Sequence, residues 1–357
     1  MKVLIAAGGT GGHIVPAVSL ANVLKKQKPE SRIVFFGSSN RMEATVIPEA
    51  GYPFYGVQMS GMNSGIKAKV RSAVSLIKAR KACRQLIQMQ KPDIVVAFGN
   101  YISVPIVYEA KRAGIPVILH EQNSFAGKAN RLLASSADAV VCCYESNLEQ
   151  MPAEKCRVYG NPAATLAVSS AFDAEEVRNM GLDPDIPFVV LMMGSLGSSS
   201  VSAVIDEACS KFDDSYQVII AAGRDNDYEF HTKSEGNIRI VPFVNGRSML
   251  KGCTLAVTRA GATTMAEITA LGTPAILIPS PNVANNHQVY NAKALADQNG
   301  ALMIEEKDLN ADVLAAAVNR LMKDTHAREE MRENALKASN SDAAYRMIDL
   351  MEEMIRK

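Results

Sequence analysis

The sequence predicts an α/β protein in which two doubly wound parallel sheets form two domains. Strand-like runs alternate with helical ones along the chain, and many are continuous stretches of Val, Ile and Leu, as expected for parallel strands buried on both faces. A glycine-rich turn follows an apolar strand twice, at residues 8–13 and 194–198. Because 357 residues is long for one domain, each turn is expected to head its own α/β half.

The predicted strands fall into two groups. They cover residues 2–7, 32–37, 94–98, 116–120 and 139–143 in the first half, and residues 188–193, 217–222, 238–242, 255–258, 275–279 and 302–304 in the second. Pro162, Pro184 and Pro187 interrupt the region between the groups. We therefore expect one domain to span residues 1–162 with 341–357 and the other to span 163–340, because a break near residues 339–342 lets the last helix return to the first half.

The composition is that of a globular protein. Hydrophobic residues make up 48% of the chain and the net charge is +1, which excludes a disordered chain. The six cysteines form no C-x-x-C pair or His/Cys ligand spacing, so we expect neither zinc nor a disulfide framework, and the thiols fit a reducing cytosol. No apolar run approaches the ~18 residues that span a bilayer, and no secretory signal is expected.

The first glycine-rich turn, Gly8-Gly9-Thr10-Gly11-Gly12-His13, is suited to an anionic ligand. Backbone N–H groups at the start of a helix favour phosphate. The turn lacks the Lys-Ser/Thr of a P-loop and the spacing of a dinucleotide fingerprint, which argues against nucleotide hydrolysis and against a dinucleotide cofactor. His13 can carry a proton near neutral pH. The alternatives are a ligand-free tight turn and a purely positional histidine.

Three further polar segments follow predicted strands, where open α/β sheets bind their ligands. In the segment after Thr258, Glu267 shares a helix face with Thr263, and its carboxylate can accept from two neighbouring hydroxyls, as on a ribose. The amide-rich residues 279–292 suit sugar hydroxyls, and the polar residues 120–123 indicate a site rather than a core. A solvated carboxylate, helix capping and a plain polar loop are the respective alternatives.

The stretch from Gly61 to Lys91 is basic and contains no acidic residue. At about 100° per residue, its pattern places four cations on one helix face beside an apolar stripe. The cations are Lys67, Arg71, Lys78 and Lys81, and the stripe is Ile66, Val70, Ala73, Val74 and Ile77. Such a helix suits an anionic membrane surface, although it could also be an ordinary helix that packs its stripe inward. Nucleic acid is disfavoured because the aromatic residues that accompany single-strand binding are missing.

Six segments of the chain form a combined pattern. They are Gly8-Gly9-Thr10-Gly11-Gly12-His13, His120-Glu121-Gln122-Asn123, Gly160-Asn161-Pro162, Gly194-Ser195-Leu196-Gly197, Arg259-Ala260-Gly261-Ala262 with Glu267, and Asn286-His287-Gln288 with Asn291-Ala292. In this order and spacing they resemble the MurG family of peripheral membrane glycosyltransferases, over nearly the whole chain. The resemblance implies a GT-B architecture of two Rossmann-like domains with a cleft between them. It also implies inverting transfer of GlcNAc from UDP-GlcNAc to the C4 hydroxyl of lipid I, giving lipid II with a β-1,4 linkage.

The resemblance also implies roles for single residues. In the second domain, Glu267 would accept from the ribose, Ala262 and Thr263 would approach the diphosphate, and the backbone of Val244 would contact uracil. Further donor contacts are implied for Thr10, Gly11, Gly12, Asn123, Gly194, Ser195, Gly197, His287, Gln288 and Asn291. The first domain would hold lipid I, with Gly9, Gly12, His13 and Tyr101 near the acceptor. His13 is the candidate base and Glu121 is the alternative.

The implied partners are UDP-GlcNAc, lipid I, an anionic membrane surface and other cell-wall synthesis and division proteins, without nucleic acid. The implied location is peripheral, on the cytoplasmic face of the bacterial plasma membrane, and no tightly bound metal or other cofactor is expected. The chain departs from the family at Ala164, where many relatives carry an arginine that contacts the nucleotide, so that Arg224 or Arg247 would have to compensate. It also carries Asn100 where glycine is usual. Rival functions are a UDP-GlcNAc 2-epimerase, a diacylglycerol glycosyltransferase and a non-catalytic membrane UDP-sugar sensor.

Overall fold

The chain forms two compact units in a computed structural model that describes residues 1–59, 66–194, 198–223, 226–283 and 286–356, with the backbone alone for residues 66–74. One unit is Met1–Leu166 with Ser341–Lys357, and the other is Ala167–Asn340. The boundary falls inside the helix Pro162–Ser169, a few residues beyond the predicted one. Proline is well suited to the first position of a helix, so the chain continues through Pro162 instead of breaking there.

The first unit contains a 7-stranded parallel sheet. Its strands are β1 (Lys2–Ala6), β2 (Arg32–Ser38), β3 (Phe54–Val57), β4 (Ile94–Ala97), β5 (Val117–Glu121), β6 (Ala139–Cys142) and β7 (Cys156–Val158). Its helices are α1 (Gly11–Gln27), α2 (Glu43–Glu49), α3 (Ile66–Gln90), α4 (Ser103–Arg112), α5 (Lys128–Leu133), the start of α6 (Pro162–Ser169) and, from the end of the chain, α14 (Ala343–Arg356). Short 3₁₀ helices cover Glu145–Glu149 and Ala153–Lys155.

The second unit contains a 6-stranded parallel sheet. Its strands are β8 (Phe188–Met192), β9 (Gln217–Ala221), β10 (Ile238–Val241), β11 (Leu255–Thr258), β12 (Ala275–Leu277) and β13 (Leu302–Met303). Its helices are α7 (Ala174–Asn179), α8 (Ser199–Cys209), α9 (Gly246–Gly252), α10 (Ala262–Leu271), α11 (His287–Ala296), α12 (Ala311–Lys323) and α13 (Thr325–Lys337), with a 3₁₀ helix at Glu306–Asp308.

The strand orders are β3-β2-β1-β4-β5-β6-β7 and β10-β9-β8-β11-β12-β13, which is the Rossmann order in each unit. The order reverses beside β1 in one sheet and beside β8 in the other. Ligands of such sheets bind at this switch point, outside the carboxyl ends of the strands. Each glycine-rich turn follows the strand at the switch point of its own sheet, and the predicted fold of two Rossmann-like domains is confirmed.

The predicted strands are present with ends shifted by a residue or two, but β3 and β7 were missed. Both are edge strands, and their residues are only partly buried, so neither has the continuous apolar run by which the central strands were recognised. The last helix, α14, belongs to the first unit. It buries Ala344, Met347, Ile348 and Met351 in the core beneath β1 and α1, and its Ala344 N–H donates to Thr165 Oγ1 at 3.0 Å.

Candidate active site

The first glycine turn is packed tightly at its start and open at its end. Gly9 has φ +92°, and a Cβ on it would lie 1.9 Å from Asn100 Nδ2. A Cβ on Gly8 would lie 2.2 Å from Glu43 Oε1, whereas one on Gly11 would meet nothing within 4 Å. Packing therefore demands the first two glycines, and the glycine that opens α1 leaves room for an incoming group.

Glu43 lies buried under this turn, which no sequence pattern had indicated. Its carboxylate accepts hydrogen bonds from the backbone N–H of Gly9 at 3.0 Å and of Ser38 at 2.9 Å. Gly9 was predicted to lie near the acceptor, but its N–H already donates to Glu43. The N–H groups that α1 can direct toward an anion are therefore those of Gly11 and Gly12, its first two residues.

His13 lies in the first turn of α1. Its Nδ1 is 2.9 Å from Oγ1 of Thr10, the residue before the helix, whose side chain makes no capping hydrogen bond to the backbone. When Nδ1–H donates to Thr10, Nε2 of that tautomer carries the lone pair that can accept a proton. Thr10, predicted as a donor contact, thus orients the imidazole predicted to act as the base.

The loop after β4 contacts the glycine turn through Asn100. Its Nδ2 donates to the carbonyl of Gly8 at 3.0 Å, and its Oδ1 accepts from the N–H of Tyr101 at 2.6 Å. Asn100 has φ 65°, a left-handed conformation that asparagine tolerates better than most residues, so it can occupy a position where the resemblance led us to expect glycine. Tyr101 is partly buried beside this turn, with the Arg41 guanidinium 5.9 Å from its ring centroid.

Glu121, the last residue of β5, is held by hydrogen bonds from its own domain. Oε1 accepts from the N–H and the Nδ2 of Asn123, and Oε2 accepts from the N–H of Gly127 and the Nδ2 of Asn130, at distances of 2.8–3.4 Å. The carboxylate is buried, and this burial raises its pKa, against the opposing effect of the hydrogen bonds from Gly127 and Asn123. Both oxygens are committed, so the geometry disfavours Glu121 as the base.

The neighbouring His120 is fully buried and packs 4.9 Å from the Phe98 ring. Burial lowers the pKa of this histidine to about 4, so the imidazole is neutral at physiological pH. Its Nε2 lies 3.2 Å from the carbonyl of Gly160, which precedes Asn161 and Pro162. His120 therefore links the end of β5 to this motif. Its burial and contacts are those of a structural residue.

The predicted ribose acceptor Glu267 lies in the second turn of α10. Its side chain is buried, so the alternative of a solvated carboxylate does not hold. Oε1 accepts one hydrogen bond, from Nε of Arg247 at 3.2 Å. Burial raises the pKa of Glu267, and the Arg247 charge opposes that rise. Within the described residues this is the only hydrogen bond to the carboxylate, which leaves acceptor capacity for a ligand.

The start of α10 offers further groups with no protein partner. Oγ1 of Thr263 is buried and makes no hydrogen bond in the described part of the chain. The N–H of Met265 closes the first helical hydrogen bond, to the carbonyl of Gly261, so the N–H groups of Ala262 and Thr263 precede the helical ladder. A buried unpaired hydroxyl costs free energy, and an oxygen of a bound diphosphate would satisfy it.

The second glycine turn is only partly described, since Ser195 and Gly197 lie outside the described residues. Gly194 has φ +95° and open space around it. At the far end of the turn, Ser198 Oγ accepts from Nη2 of Arg259 at 2.8 Å, and Nη1 of Arg259 donates to Glu306 Oε2 at 2.6 Å. Arg259 thus ties the start of α8 to the residues after β13, a role that the motif alone did not indicate.

The other predicted donor residues surround the carboxyl ends of β10, β11 and β12. Val244 is buried in the loop after β10. Asn291 is fully buried and its Nδ2 donates to the carbonyl of Ala260 at 3.2 Å, while Gln288 Oε1 accepts from the N–H of Ser280 at 2.9 Å. Asn291 therefore shapes the turn before α10 from within the core. Half-buried His287 and Gln288, both in the first turn of α11, lie nearer the surface.

The basic stretch forms the long helix α3, whose described part buries Ala79, Cys83, Leu86 and Ile87. Ile77 is 69% exposed, and Lys78 and Lys81 are also exposed. The side chains of Ile66, Lys67, Val70, Arg71 and Val74 lie outside the described residues.

Two other cations of this stretch share one acidic partner, which offsets one of their two positive charges. Arg80 and Arg84 bond the buried Glu109 of α4 through their Nε atoms at 2.8 and 2.9 Å, which lowers the pKa of that carboxyl against the effect of burial. The absence of acids within the stretch therefore overstated its charge. The exposed cations of the described part are Lys78, Lys81, Arg84 and Lys91, of which the two lysines Lys78 and Lys81 lie near Ile77.

The described residues contain neither a cluster of metal ligands nor a membrane-spanning helix. No group of three or more His, Cys, Asp or Glu side chains there is arranged to hold a metal ion. No helix of that part is both long and apolar enough to cross a bilayer.

Comparison with known proteins identifies relatives over the full length. The model of the glycosyltransferase family 28 N-terminal domain matches residues 3–142, and that of the family's C-terminal domain matches residues 188–347. The chain is 37% identical, over 100% of both chains, to the Bacillus cereus UDP-N-acetylglucosamine--N-acetylmuramyl-(pentapeptide) pyrophosphoryl-undecaprenol N-acetylglucosamine transferase 1. It is 36% identical to the Leuconostoc citreum transferase of that name, over 98% of each chain.

Solved structures give the same result for the fold. The crystal structure of Acinetobacter baumannii MurG superposes with a TM-score of 0.73 at 25% identity, covering 99% of each chain. A Listeria monocytogenes protein described as a UDP-N-acetylglucosamine 2-epimerase superposes with a TM-score of 0.71, covering 98% of this chain and 95% of that one, at 13% identity. The second likeness is one of fold alone.

Proposed function

Because this chain belongs to glycosyltransferase family 28 and matches its MurG members over their full length, we infer that it transfers GlcNAc from UDP-GlcNAc to lipid I. The acceptor is undecaprenyl-diphospho-MurNAc-pentapeptide and the product is lipid II, a precursor of peptidoglycan. Of the rival functions, the 2-epimerase is related by fold alone, and neither the diacylglycerol transferase nor the non-catalytic sensor is favoured by the relatives' names.

The observation that best supports donor binding is the incomplete hydrogen bonding of Glu267. Its carboxylate is buried but accepts one hydrogen bond from the described residues, so it can accept two more from adjacent ribose hydroxyls. The start of α10, four residues earlier, carries the unpaired Thr263 hydroxyl. The diphosphate of UDP would lie there, and the family resemblance implies Gly194 of the second glycine turn as a further contact.

The proposed reaction is a single displacement. The C4 oxygen of the MurNAc unit forms a bond to the anomeric carbon of GlcNAc while the bond from that carbon to the UDP oxygen breaks, which inverts the configuration to β. The departing electron pair stays on UDP, whose growing negative charge is stabilised by the N-terminus of α10. Holding both sugars in register would supply much of the rate.

His13 is the proposed acceptor of the C4 hydroxyl proton. It lies at the start of α1 with Nδ1 oriented by Thr10, next to the N–H groups of Gly11 and Gly12 that would hold the lipid I diphosphate. Glu121 lacks this accessibility, because it is buried and both of its oxygens are hydrogen bonded. Glu121 would instead hold Asn123 in place for the donor sugar.

The surface of α3 around Ile77 is the proposed membrane contact. An exposed isoleucine flanked by exposed Lys78 and Lys81 suits the boundary of an anionic leaflet. This contact would place the enzyme on the cytoplasmic face of the plasma membrane, where other cell-wall synthesis and division proteins would be its neighbours. Neither nucleic acid nor a tightly bound metal is part of the proposal.

The decisive experiment measures UDP release from UDP-GlcNAc with lipid I present, with lipid I absent and with diacylglycerol in its place. Release that requires lipid I, with lipid II as the product, is the expected result. UDP-ManNAc formed from UDP-GlcNAc alone would identify an epimerase, and transfer to diacylglycerol would identify the other transferase. Binding of UDP-GlcNAc without turnover in the presence of lipid I would identify the protein as a non-catalytic UDP-sugar sensor.

The membrane contact is tested by sedimentation with vesicles that contain anionic phospholipid. The double substitution Lys78→Glu/Lys81→Glu is expected to release the protein into the supernatant. The control, Lys26→Glu/Arg112→Glu, makes the same charge change at exposed positions of the same domain and should leave sedimentation unchanged. Equal sedimentation of both variants would rule out docking through α3.

A further inference from the structure

Of the two arginines expected to compensate for Ala164, Arg224 lies outside the described residues, and Arg247, in the first turn of α9, lies beside the buried Glu267. Its Nε donates to Glu267 Oε1 at 3.2 Å, with the two side chains 24% and 11% exposed. A guanidinium usually meets a carboxylate with two parallel hydrogen bonds. Here the contact is single and long, so the carboxylate uses one of the five N–H donors.

Other arginines of the same unit donate hydrogen bonds from their terminal nitrogens to protein acceptors. Arg239 bonds the carbonyls of Gly236, Ile238 and Gly181 through Nη1 and Nη2. Arg259 bonds Glu306 and Ser198 through the same pair of atoms. Arg247 makes no hydrogen bond through Nη1 or Nη2 within the described residues, although its side chain is three-quarters covered.

The position of α9 places the terminal N–H groups of Arg247 near the residues proposed to bind the nucleoside. The helix begins at Gly246, directly after the loop that holds Val244, the proposed uracil contact. The side chain of Asn245 fixes the helix start by accepting from the N–H of Ser248. The helix α9 packs against α10, so Arg247 contacts the carboxylate proposed to bind ribose and follows the proposed uracil contact Val244 closely along the chain.

We propose that Arg247 is a nucleoside-binding residue of the donor site. Its Nε orients the Glu267 carboxylate, and its terminal N–H groups donate to an oxygen of the uridine, on the ribose or on the uracil. The inference rests on the proposed function and adds a cationic contact that reads the nucleoside rather than the diphosphate. The ligand class is a uridine nucleotide, whereas inorganic pyrophosphate lacks the group that Arg247 would hold.

The test is calorimetric titration of UDP and of inorganic pyrophosphate into wild type, Arg247→Gln and Arg247→Lys. We expect Arg247→Gln to raise the Kd for UDP about tenfold. The Kd for inorganic pyrophosphate should stay unchanged. Arg247→Lys should recover part of the affinity, because it keeps the charge but not the planar fork. In turnover, the KM for UDP-GlcNAc should rise while kcat at saturating donor stays the same.

The matched control is Arg178→Gln, which removes the cation of an exposed Arg–Glu pair in the same unit. It should bind UDP like the wild type. A double-mutant cycle with Glu267→Gln separates the two parts of the proposal. If Arg247→Gln still weakens UDP binding in the Glu267→Gln background, the arginine touches the nucleotide itself; if it has no further effect there, the proposed contact is refuted and Arg247 only orients Glu267.

The outcomes distinguish a failure of this inference from a failure of the proposed function on which it rests. A wild-type protein that does not bind UDP would overturn the proposed function. Wild-type binding that Arg247→Gln does not change would overturn only the role of Arg247. Should Arg247→Gln fail to fold, Arg247→Lys decides, because UDP affinity equal to that of wild type would exclude the forked contact.

Discussion

Glu121 in the first domain and Glu267 in the second are both buried carboxylates, and burial raises the pKa of each. They differ in their partners. Glu121 accepts four hydrogen bonds from Asn123, Gly127 and Asn130, whereas Glu267 accepts one from Arg247. A buried carboxylate whose acceptor sites are filled by its own domain stabilises a loop, while one with sites left over is prepared for a ligand.

The largest effect is expected from Glu121→Gln. The amide turns one oxygen into a donor, so two N–H groups of the surrounding loop lose their acceptor. The free energy of unfolding should fall by about 2–4 kcal/mol, measured by chemical denaturation, while kcat per folded molecule at saturating UDP-GlcNAc is retained. Glu49→Gln, at an exposed position of the same domain, is the control. A stable Glu121→Gln protein with no turnover would instead make Glu121 catalytic and erase the contrast.

Glu267→Gln is expected to weaken donor binding with little effect on stability, which is the opposite of the result expected for Glu121→Gln. The free energy of unfolding should change little, because the described residues place one hydrogen bond on this carboxylate. The KM for UDP-GlcNAc should rise about ten- to a hundredfold, since a neutral amide accepts from only one ribose hydroxyl and loses its charge-assisted bonds. Steady-state kinetics with varied donor, together with UDP calorimetry, would measure it. Wild-type KM in this variant would remove Glu267 from the donor site.

This contrast between the two glutamates marks the limit of what the sequence could predict. The central strands follow from continuous Val/Ile/Leu runs, and the position of Glu267 after Thr263 follows from helical periodicity. The sequence could not show that both carboxylate oxygens of Glu121 are hydrogen bonded, because the donors at Gly127 and Asn130 come from the following loop and helix. Similarly, Glu43 reaches the glycine turn from 34 residues away, and only the fold brings such pairs together.

The edge strands β3 and β7 and the charge of α3 illustrate the same limit. Edge strands lack the two-sided burial that makes a strand recognisable in sequence. The helix α3 was predicted to be basic and amphipathic from the absence of acidic residues in its own stretch, yet Glu109 of the next helix pairs with Arg80 and Arg84 and offsets one of their two charges. Local patterns therefore predicted the central elements and nominated individual side chains for the site, whereas the partners of those side chains depended on tertiary contacts.

The smallest expected effect is a pH dependence that separates binding from stability at Glu267. Because the folded pKa of Glu267 lies above its ordinary value of 4.5, the carboxylate takes up a proton before the unfolded chain would as the pH falls. Protonation removes an acceptor for the ribose, so UDP affinity should fall by up to about tenfold per pH unit below that pKa. The same proton uptake favours the folded state, so this group's contribution to stability is present at low pH and lost as the pH rises through the folded pKa.

The measurement is UDP calorimetry from pH 8 to below the ordinary carboxyl pKa of 4.5, on wild type and on Glu267→Gln, since the variant lacks the titrating group. The buried His120, with a pKa of about 4, lowers overall stability as the pH falls from about 6.5, and it does so equally in both proteins. The difference between the two binding curves therefore isolates Glu267. Parallel curves would mean that its ionisation has no part in holding the nucleotide, and the contrast with Glu121 would then concern packing alone.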